Sequence, residues 1–383
     1  MMSALMNREP ALSTPVYVVD EAALVHNLEI LQGVEQRTGC HILLAQKAFS
    51  MFRVYPLIGR YLSGATASGL FEARLAHEEM PGRENHVFCP AYTPEEMKEL
   101  VTICDHISFN SLAQLEAHRP VWEKAGVSVG LRVNPEHSTQ EGHAIYDPCA
   151  PGSRLGIRRE NLPDQLPKGV EGLHFHTLCE QDAAPLVETF AAFEEKFGCY
   201  LPGLKWINLG GGHHITRPDY DVAALERLIL YIREKYGVTV YLEPGEAIAL
   251  GAGTLITTVL DIVQATDMPV LILDTSAACH MPDVLEMPYR PPLFDSGLPG
   301  EKRVTCRLGS RTCLAGDVIG EYSFDALPQI GDRLVFGDMA IYSMVKNNTF
   351  NGMPLPDIAL RHQDGSCEVV RHFGYQDFKM RLS

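Results

Sequence analysis

Short apolar runs alternate with helical segments along the chain from His41 to Glu243. The segments between nearly all of these runs repeat their apolar residues at helical spacing. Strands joined through helices must run parallel and be covered by those helices. About eight such units would fill roughly 230–250 residues as a closed barrel. The pattern therefore predicts a TIM-like (β/α)8 barrel of the α/β class.

The sequence changes character after about Gly251, where Pro- and Gly-rich turns replace helices between the strand-like runs. These runs cover residues 254–264, 269–274, 303–308, 333–336 and 367–371. Such spacing is typical of an antiparallel β domain. We also assign to it the N-terminal strand at residues 14–20. The expected organisation is a barrel over residues 21–250 and a β domain formed by residues 1–20 and 251–383.

Charge and cysteine content exclude several classes of protein. The formal net charge of −16 argues against a nucleic-acid surface and is compatible with a cationic small molecule. Ten cysteines occur without a C-x-x-C pair or regular spacing, so neither a zinc site nor a disulfide framework is indicated. The N-terminus lacks an apolar signal region and the chain has no long uncharged apolar run. We expect a soluble cytoplasmic protein that does not bind a membrane.

Lys47 ends the first run of the predicted barrel, three residues after the apolar residues 42–44, and small or apolar residues flank it at Ala45, Ala48 and Phe49. An ammonium group beside an apolar strand is costly unless it is paired, neutralised or used covalently. Burial lowers the pKa of a lysine and frees its amine to form a Schiff base. Taken alone, the stretch favours a lysine whose stem packs while its head reaches water. The ends of the other strands reverse that preference.

Polar residues end other strands of the predicted barrel, at the edge where barrel enzymes carry their sites. They are Arg132 and Asn134, His174 and His176, Gly210 to Gly212 before His213 and His214, and Glu243. Singly, each has an ordinary explanation in barrel packing or turn formation. Together they supply a lysine, bare backbone amides for a phosphate, a flat ring and a carboxylate. Because these groups suit pyridoxal 5'-phosphate, we expect that cofactor and no metal.

Longer motifs make the chain resemble the alanine-racemase-fold decarboxylases, the family of eukaryotic ornithine, diaminopimelate and biosynthetic arginine decarboxylases. The motifs are NLGGGHHITR (208–217), EPGEA (243–247), LDTSAACHMPDVLEMPYRP (273–291), CLAGD (313–317) and AIYSMVKNNTFNG (340–352). With Lys47 they extend over most of the chain. Within the family they are most similar to the carboxynorspermidine (carboxyspermidine) decarboxylase branch. The resemblance implies a pyridoxal-phosphate enzyme of the type III fold, a barrel followed by a β domain.

The resemblance also implies a role for individual residues. Lys47 would bind the cofactor covalently, His176 would stack on its ring, Glu243 would pair with the ring nitrogen, and Gly210, Gly211 and Gly212 with Tyr342 would hold its phosphate. Arg132 would lie near the cofactor. Cys313 would enter the site from a second subunit and protonate the product carbanion. A homodimer with shared active sites is therefore expected.

Three positions depart from the common family pattern. Glu246 stands where many relatives carry arginine, Leu314 where ornithine and diaminopimelate decarboxylases carry an acid, and Cys179 where many carry serine. Phosphate binding would therefore depend more on the glycine amides and Tyr342. These departures match the carboxynorspermidine branch and count against ornithine and lysine.

The branch implies a polycationic amino-acid substrate, carboxynorspermidine or carboxyspermidine, converted to norspermidine or spermidine in polyamine biosynthesis. Its ammonium groups need carboxylate partners, because unpaired charges bury poorly. We expect Glu246, Asp274 and Asp283 to supply them, with His280 as a further polar contact. Glu286 and Asp317 are alternatives, and any of these carboxylates can instead be an ordinary solvated group.

Other functions are compatible with parts of the pattern. The nearest is another reaction of the same cofactor, such as decarboxylation of diaminopimelate or another basic amino acid, or alanine racemisation. A non-catalytic pyridoxal-phosphate carrier or regulator is a different class. Such carriers resemble the barrel alone, and inhibitory relatives are expected to lose the lysine, whereas this chain has a long β domain and retains Lys47.

Overall fold

The protein, represented by a computed structural model, is described over residues 12–140 and 144–383. The chain divides into two compact units, one spanning His26–Ile248 and the other combining the residues up to Val25 with Ala249–Ser383. The domain limits expected at residues 20/21 and 250/251 stay a prediction. Residues 1–11 of the expected β-domain segment and residues 141–143 of the long loop at 135–153 lie outside the described part.

Eight parallel strands close the first unit into a barrel. They are β2 (His41–Ala45), β3 (Gly64–Ala67), β4 (Glu84–Phe88), β5 (His106–Phe109), β6 (Ser128–Arg132), β7 (Val170–His174), β8 (Trp206–Asn208) and β9 (Thr239–Leu242), while β1 (Val16–Asp20) belongs to the second unit. Each strand pairs with the next, and β9 closes the ring by pairing with β2 at His41 and Tyr241. The predicted (β/α)8 barrel is confirmed.

Helices precede or follow most strands of the barrel, and the only helical segments among the described residues between β6 and β7 are two short 3-10 turns. The helices are α1 (Glu21–Thr38), α2 (Tyr55–Tyr61), α3 (Leu70–Glu79), α4 (Pro94–Ile103), α5 (Leu112–Ala125), α6 (Ala183–Phe197), α7 (Val222–Tyr236) and α8 (Glu246–Ala249). Their ends follow from local sequence: Thr93 caps α4 in a capping box, and Asp221 caps α7 through the amide of Ala224. Gly237 ends α7 in the left-handed conformation, which glycine adopts at little cost.

Trp206 fills the barrel interior near the N-terminal ends of the strands. A Cβ on Gly172 would lie 2.0 Å from the Trp206 ring and one on Gly130 would lie 2.3 Å away, so only glycine leaves room for the indole. The ring stacks on His106 at 4.9 Å and its Nε1 donates to the Ser128 hydroxyl at 2.9 Å. This end of the barrel is therefore closed by packed side chains.

A hydrogen-bonded cluster lies beside Trp206. The Glu84 carboxylate bonds His41 Nδ1 at 2.6 Å and His86 Nε2 at 2.9 Å. Glu84, His86 and His106 offer ligand atoms within 4.8 Å of one another. However, the rings of His86 and His106 stack at 4.0 Å with 22° between their planes, so their nitrogen lone pairs do not converge on a point. We interpret the cluster as polar packing of the barrel floor.

The second unit is built on a mixed, mainly antiparallel sheet with the order β13-β12-β11-β10-β1-β15-β16, and β14 also pairs with β10. The strands are β10 (Gly253–Gln264), β11 (Pro269–Leu273), β12 (Val304–Gly309), β13 (Val318–Phe324), β14 (Arg333–Gly337), β15 (Asp357–Arg361) and β16 (Cys367–Arg371), and the helices are α9 (Ala277–His280), α10 (Asp283–Glu286) and α11 (Tyr375–Met380). As expected, β1 joins this sheet, antiparallel to β10 and parallel to β15. The sequence did not predict β13 and β15.

Helices that span a membrane are long and predominantly apolar. Within residues 12–140 and 144–383, no helix is both long and apolar enough to cross a bilayer.

Candidate active site

Strand β2 places Lys47 just beyond its C-terminal end, facing His176, which lies two residues beyond the end of β7. Lys47 Nζ lies 3.4 Å from His176 Nε2, and the amide of Gly211 donates to His176 Nδ1 at 2.9 Å. Because Nδ1 accepts a hydrogen bond, a neutral His176 ring carries its proton on Nε2. That proton points toward the lysine nitrogen. The arrangement suits an unprotonated amine on Lys47, which can accept it.

The charges around Lys47 favour the same protonation state. Lys47 lines a cavity and keeps solvent-accessible surface, yet protein atoms surround its ammonium, and this burial lowers the pKa of Lys47. The positive charge of Arg132 lowers it further, against the opposite effect of Glu243. Burial and the charge of Lys47 also lower the pKa of His176 well below its usual value. Both groups therefore lose their proton at a lower pH than they would in water. A neutral lysine amine is a nucleophile.

Glu243 follows β9 and contributes a carboxylate to the same cavity. Its Oε1 accepts a hydrogen bond of 2.7 Å from the Asn208 amide, and its Oε2 lies 3.5 Å from His174 Nε2. Burial raises the pKa of Glu243, but His174, the Asn208 amide, His86 and the Thr66 hydroxyl outweigh that effect and lower it overall. The carboxylate is therefore ionised at neutral pH and able to pair with a protonated ring nitrogen.

Arg132 ends β6 and is buried in the wall of the cavity. Its Nη2 donates to the His176 carbonyl oxygen at 3.0 Å, and its guanidinium lies 4.4 Å from the centre of the Phe88 ring. Burial lowers the pKa of Arg132 to about 10, so it remains charged at neutral pH. Arg132 thus fixes the backbone at His176 and supplies a positive charge beside Lys47.

The glycine turn after β8 packs directly on the turn after β9. A Cβ on Gly211 would lie 2.0 Å from the Glu243 carbonyl oxygen. Gly210 and Gly212 have φ values of +70° and +84°, and a Cβ on Gly212 would lie 1.9 Å from the Leu178 carbonyl oxygen. Within the described residues, the amides of Gly212 and His213 have no hydrogen-bond acceptor. These two amides can bind an anionic group.

The structure thus brings Lys47, Arg132, His176 and Glu243 together around one cavity, beside Gly210 to Gly212. Of the remaining predicted residues, Glu246 lies in the barrel unit and pairs with His214. The others belong to the second unit, and the roles of all of them stay predictions: Cys313, Tyr342, Asp274, His280 and Asp283. Tyr342 has a φ of +48°, which is unfavourable for a residue with a side chain. Such backbone strain persists only where the surroundings impose it and is often found at functional sites.

Two of the predicted substrate ligands, Asp274 and His280, already have partners within the second unit. Asp274 accepts hydrogen bonds from the hydroxyls of Thr14 and Thr257 and from the amide of Thr258. His280 is fully buried, with its nitrogens 2.9 Å from the Thr275 hydroxyl and 3.0 Å from the Pro354 carbonyl oxygen. Burial lowers its pKa to about 4. Both residues have the surroundings of structural groups, and their predicted role in substrate binding stays untested.

Asp283 differs because its partner is a cation. The ammonium of Lys346 bonds Asp283 and also Glu286, at 2.5 Å from Glu286 Oε2. The side chains of Asp283 and Lys346 are 22% and 29% exposed, so solvent reaches this pair. Two carboxylates around one alkylammonium form the kind of environment that a polyamine nitrogen needs.

Cys313 is exposed on a loop that a buried carboxylate organises. Asp317 Oδ2 accepts hydrogen bonds of 2.6 Å each from the hydroxyls of Ser276, Ser310 and Thr312. The backbone amide of Cys313 donates to Asn351 Oδ1 at 2.8 Å. These hydrogen bonds hold the loop in place while Cys313 stays exposed to solvent. Asp317 therefore has a structural role in ordering this loop.

Sequence reasoning missed several residues of the cavity. Asn208 directly bonds Glu243, Phe88 packs on Arg132, and Glu72 contributes a charge that favours the protonated form of Lys47. Asn208 and Phe88 end strands β8 and β4, so they could have been predicted as site residues from their positions at strand ends. Glu72 lies inside α3, and no motif singled it out.

Comparisons with known proteins agree with this geometry. The sequence profile of a family described as pyridoxal-dependent decarboxylase, C-terminal sheet domain, matches residues 16–340. The carboxynorspermidine/carboxyspermidine decarboxylase of Campylobacter jejuni is 41% identical over 381 residues, covering 97% of this chain and 98% of that protein. The carboxyaminopropylagmatine decarboxylase of Synechocystis sp. is 41% identical over 376 residues, covering 98% and 97%.

A solved structure extends the similarity to three dimensions. The crystal structure of carboxynorspermidine decarboxylase complexed with norspermidine from Campylobacter jejuni has a TM-score of 0.90 to this chain at 40% identity. The match covers 97% of this chain and 100% of that one.

Proposed function

The chain belongs to the family of pyridoxal-dependent decarboxylases, and from this premise we propose that it decarboxylates carboxynorspermidine and carboxyspermidine to norspermidine and spermidine. The observation that carries the proposal is the set formed by Lys47, His176 and Glu243 at one barrel mouth. The similarity in sequence to the Campylobacter jejuni enzyme over nearly the whole chain supports the substrate.

Pyridoxal 5'-phosphate fits the residues that this site offers. Gly212 and His213 present two amides without acceptors among the described residues, and the glycines leave space that a side chain would fill. His174 has two buried ring nitrogens without a hydrogen-bond partner there. When bound, the cofactor supplies a conjugated ring that accepts the electron pair left at Cα by departing carbon dioxide. We therefore propose it as the cofactor of this chain.

Each residue of the cavity has a definite task in this proposal. Lys47 holds the cofactor through its amine, and the low pKa of that amine keeps it reactive. Glu243 keeps a proton on the ring nitrogen because its carboxylate stays ionised. His176, neutral and fixed by Gly211, offers a flat face for the ring. The amides of Gly212 and His213 bind the phosphate, and the role expected there for Tyr342 stays a prediction.

We further propose that the enzyme is a homodimer in which Cys313 from a second copy of the chain delivers a proton to Cα of the product. The exposure of Cys313 on a loop anchored by Asp317 supports this role. Mixing inactive Lys47→Ala subunits with inactive Cys313→Ala subunits tests it. Hybrid dimers should recover part of the activity, because one of their two sites is intact. Absence of any recovery would contradict shared sites.

The proposed function is tested by spectroscopy followed by assay. The purified protein should absorb in the visible range, and borohydride reduction should leave an adduct on the peptide that contains Lys47. Carbon dioxide release should then be fastest with carboxynorspermidine or carboxyspermidine, and diaminopimelate should be a poor substrate. The exposed Lys205, paired with Glu171, provides a matched control: Lys205→Ala should keep both adduct and activity. A colourless protein without a Lys47 adduct would refute the proposal.

A second substrate is favoured by a specific observation. The Synechocystis relative, named for carboxyaminopropylagmatine, is as similar to this chain as the Campylobacter jejuni relative. A guanidinium-ended substrate could occupy the same cavity through the same amino-acid end. Assaying carboxyaminopropylagmatine beside carboxynorspermidine decides between the two by the ratio of their kcat/KM values.

A further inference from the structure

His214 and Glu246 form a partly buried ion pair where the two turns of the barrel mouth meet. The distance between His214 Nε2 and Glu246 Oε2 is 2.7 Å, and the two side chains are only 12% and 15% exposed. Glu246 is the residue that replaces the arginine common in the family at this position. A carboxylate thus stands where a positive charge is usual, and it is neutralised by a histidine.

The pair connects the turn after β8 to the turn after β9. Glu243 donates its backbone amide to the Gly210 carbonyl oxygen at 2.8 Å, and the Thr216 hydroxyl donates to the Ala247 carbonyl oxygen at 2.6 Å. In sequence, His214 lies between Gly210 and Thr216, and Glu246 lies between Glu243 and Ala247. His214 also follows directly on Gly212 and His213, whose amides lack acceptors among the described residues. The ion pair is therefore adjacent to the amides proposed to hold the phosphate.

The surroundings favour a protonated His214. Burial lowers its pKa, but the hydrogen bond and charge of Glu246 and the charge of Glu180 outweigh that effect, and Arg217 opposes them, so that the pKa is raised overall. The remaining titratable neighbours are His213 and Asp219. Burial lowers the pKa of His213 to about 3, so His213 is neutral and adds no competing charge.

An unneutralised Glu246 would repel any dianion bound at the neighbouring amides. Protonated His214 removes that repulsion and adds a cation with a donor at Nδ1. We propose that His214 supplies the positive charge for the phosphate group of the cofactor and that Glu246 is the positioning residue that holds His214 protonated. This inference rests on the proposed function and names a pair of residues, in place of the usual arginine, for phosphate recognition.

The test compares two cofactor forms that differ only in the phosphate. Full-length protein freed of cofactor is titrated with pyridoxal 5'-phosphate and with pyridoxal, and dissociation constants are measured by equilibrium dialysis at several pH values above 7, where the phosphate stays a dianion. In His214→Gln the affinity for pyridoxal 5'-phosphate should fall about tenfold or more, since a charge-assisted contact is lost. The affinity for pyridoxal should change less than about twofold.

Glu246→Gln gives a second, independent readout. The wild-type preference for the phosphorylated form should decrease as the pH rises through the raised pKa of His214, and in Glu246→Gln the decrease should occur at lower pH. His372→Gln breaks another histidine–carboxylate pair, with Asp357 in the other unit, where His372 is exposed, and this variant should behave as the wild type. Circular dichroism spectra check that each variant is folded.

Two results would overturn the inference. One is equal weakening of both ligands by His214→Gln, which indicates a structural residue; the other is no weakening of either. A wild-type protein that binds neither ligand would instead refute the proposed function, so the two failures are distinguishable.

Discussion

Asn208 holds Glu243 through a hydrogen bond of 2.7 Å between its amide nitrogen and carboxylate oxygen Oε1. Asn208 ends β8 and Glu243 follows the neighbouring strand β9, so the bond joins adjacent strands of the barrel. The amide is one of the groups that lower the pKa of the buried Glu243.

Asn208→Ala should therefore raise the pKa of Glu243. The acid limb of the pH profile of kcat/KM should move to higher pH, because the carboxylate is protonated sooner. Loss of a hydrogen bond to a charged group should lower activity at neutral pH about tenfold. Asn85→Ala removes another buried amide, one that bonds the Ala73 and Ile103 carbonyl oxygens. That control should reduce stability without moving the limb, and an unmoved limb in Asn208→Ala would contradict the assignment.

Gly212→Ala should abolish stable binding of the cofactor. Its Cβ would lie 1.9 Å from the Leu178 carbonyl oxygen, and its φ of +84° is strained for alanine, so the turn must move. Gly237→Ala is the matched control, with a φ of +69° and no atom within 4 Å of the added Cβ. It should cost only about 1 kcal/mol of unfolding free energy. Urea unfolding and the absorbance of bound cofactor measure both effects. Full cofactor binding in Gly212→Ala would show that the turn is not the phosphate site.

Asp317→Asn should loosen the loop that carries Cys313. The three hydroxyls that donate to Asp317 Oδ2 require an acceptor, and an asparagine nitrogen at that place would leave donors facing each other. The expected loss of unfolding free energy is about 1–3 kcal/mol. Hydrogen exchange at residues 310–317 and the rate of thiol labelling of Cys313 should both increase. The exposed Asp325, paired with Lys302, serves as the control in Asp325→Asn. Unchanged exchange in Asp317→Asn would mean that the carboxylate does not order the loop.

Glu84→Gln should change how the unfolding free energy of the protein depends on pH, because it removes the charge of the carboxylate at the barrel floor. Burial raises the pKa of Glu84, but its bonds to His41 and His86 lower it overall, so its contribution exists above the unfolded pKa and is lost as the pH falls through the folded one. The bond to Glu84 raises the pKa of His41, whose contribution exists below its unfolded pKa and is lost as the pH rises through the folded one.

The destabilisation by Glu84→Gln should therefore be greatest between about pH 4.5 and 6.5 and smaller on either side. Partial exposure of His41 screens the pair, so the difference should be on the order of 1 kcal/mol. Urea unfolding of both proteins from pH 3 to 9 measures it. A difference that stays constant with pH would indicate lost packing rather than lost charge.

Some features followed from sequence because local chemistry determines them. The barrel was predictable because nearly all of its strands are separated by helical segments with distinct apolar spacing, as α7 shows with Leu225, Leu228, Ile229 and Ile232 buried on one face. Lys47, His176 and Glu243 were predictable because they lie at or just beyond strand ends, where a closed parallel barrel brings them together.

Other features depend on contacts that no local pattern records. Strand β13 contains Gly320 with a φ of +157° and has no clean alternation, so it is defined by its partner β12. Strand β15 is defined by its partners β1 and β16. The hydroxyl ligands of Asp274 come from Thr14 and Thr257, far away in sequence. The sequence therefore did not reveal the neighbours that satisfy the Asp274 carboxylate, and the predicted role of Asp274 as a substrate ligand stays untested.

Trp206, occupying the space left open by Gly130 and Gly172, gives the barrel a sealed bottom. The barrel is therefore closed at the N-terminal ends of its strands, and its described residues leave no channel through it. Everything that reaches Lys47 and Glu243, including each proton that the reaction consumes, must arrive over the rim where the strands end, and carbon dioxide must leave by the same route.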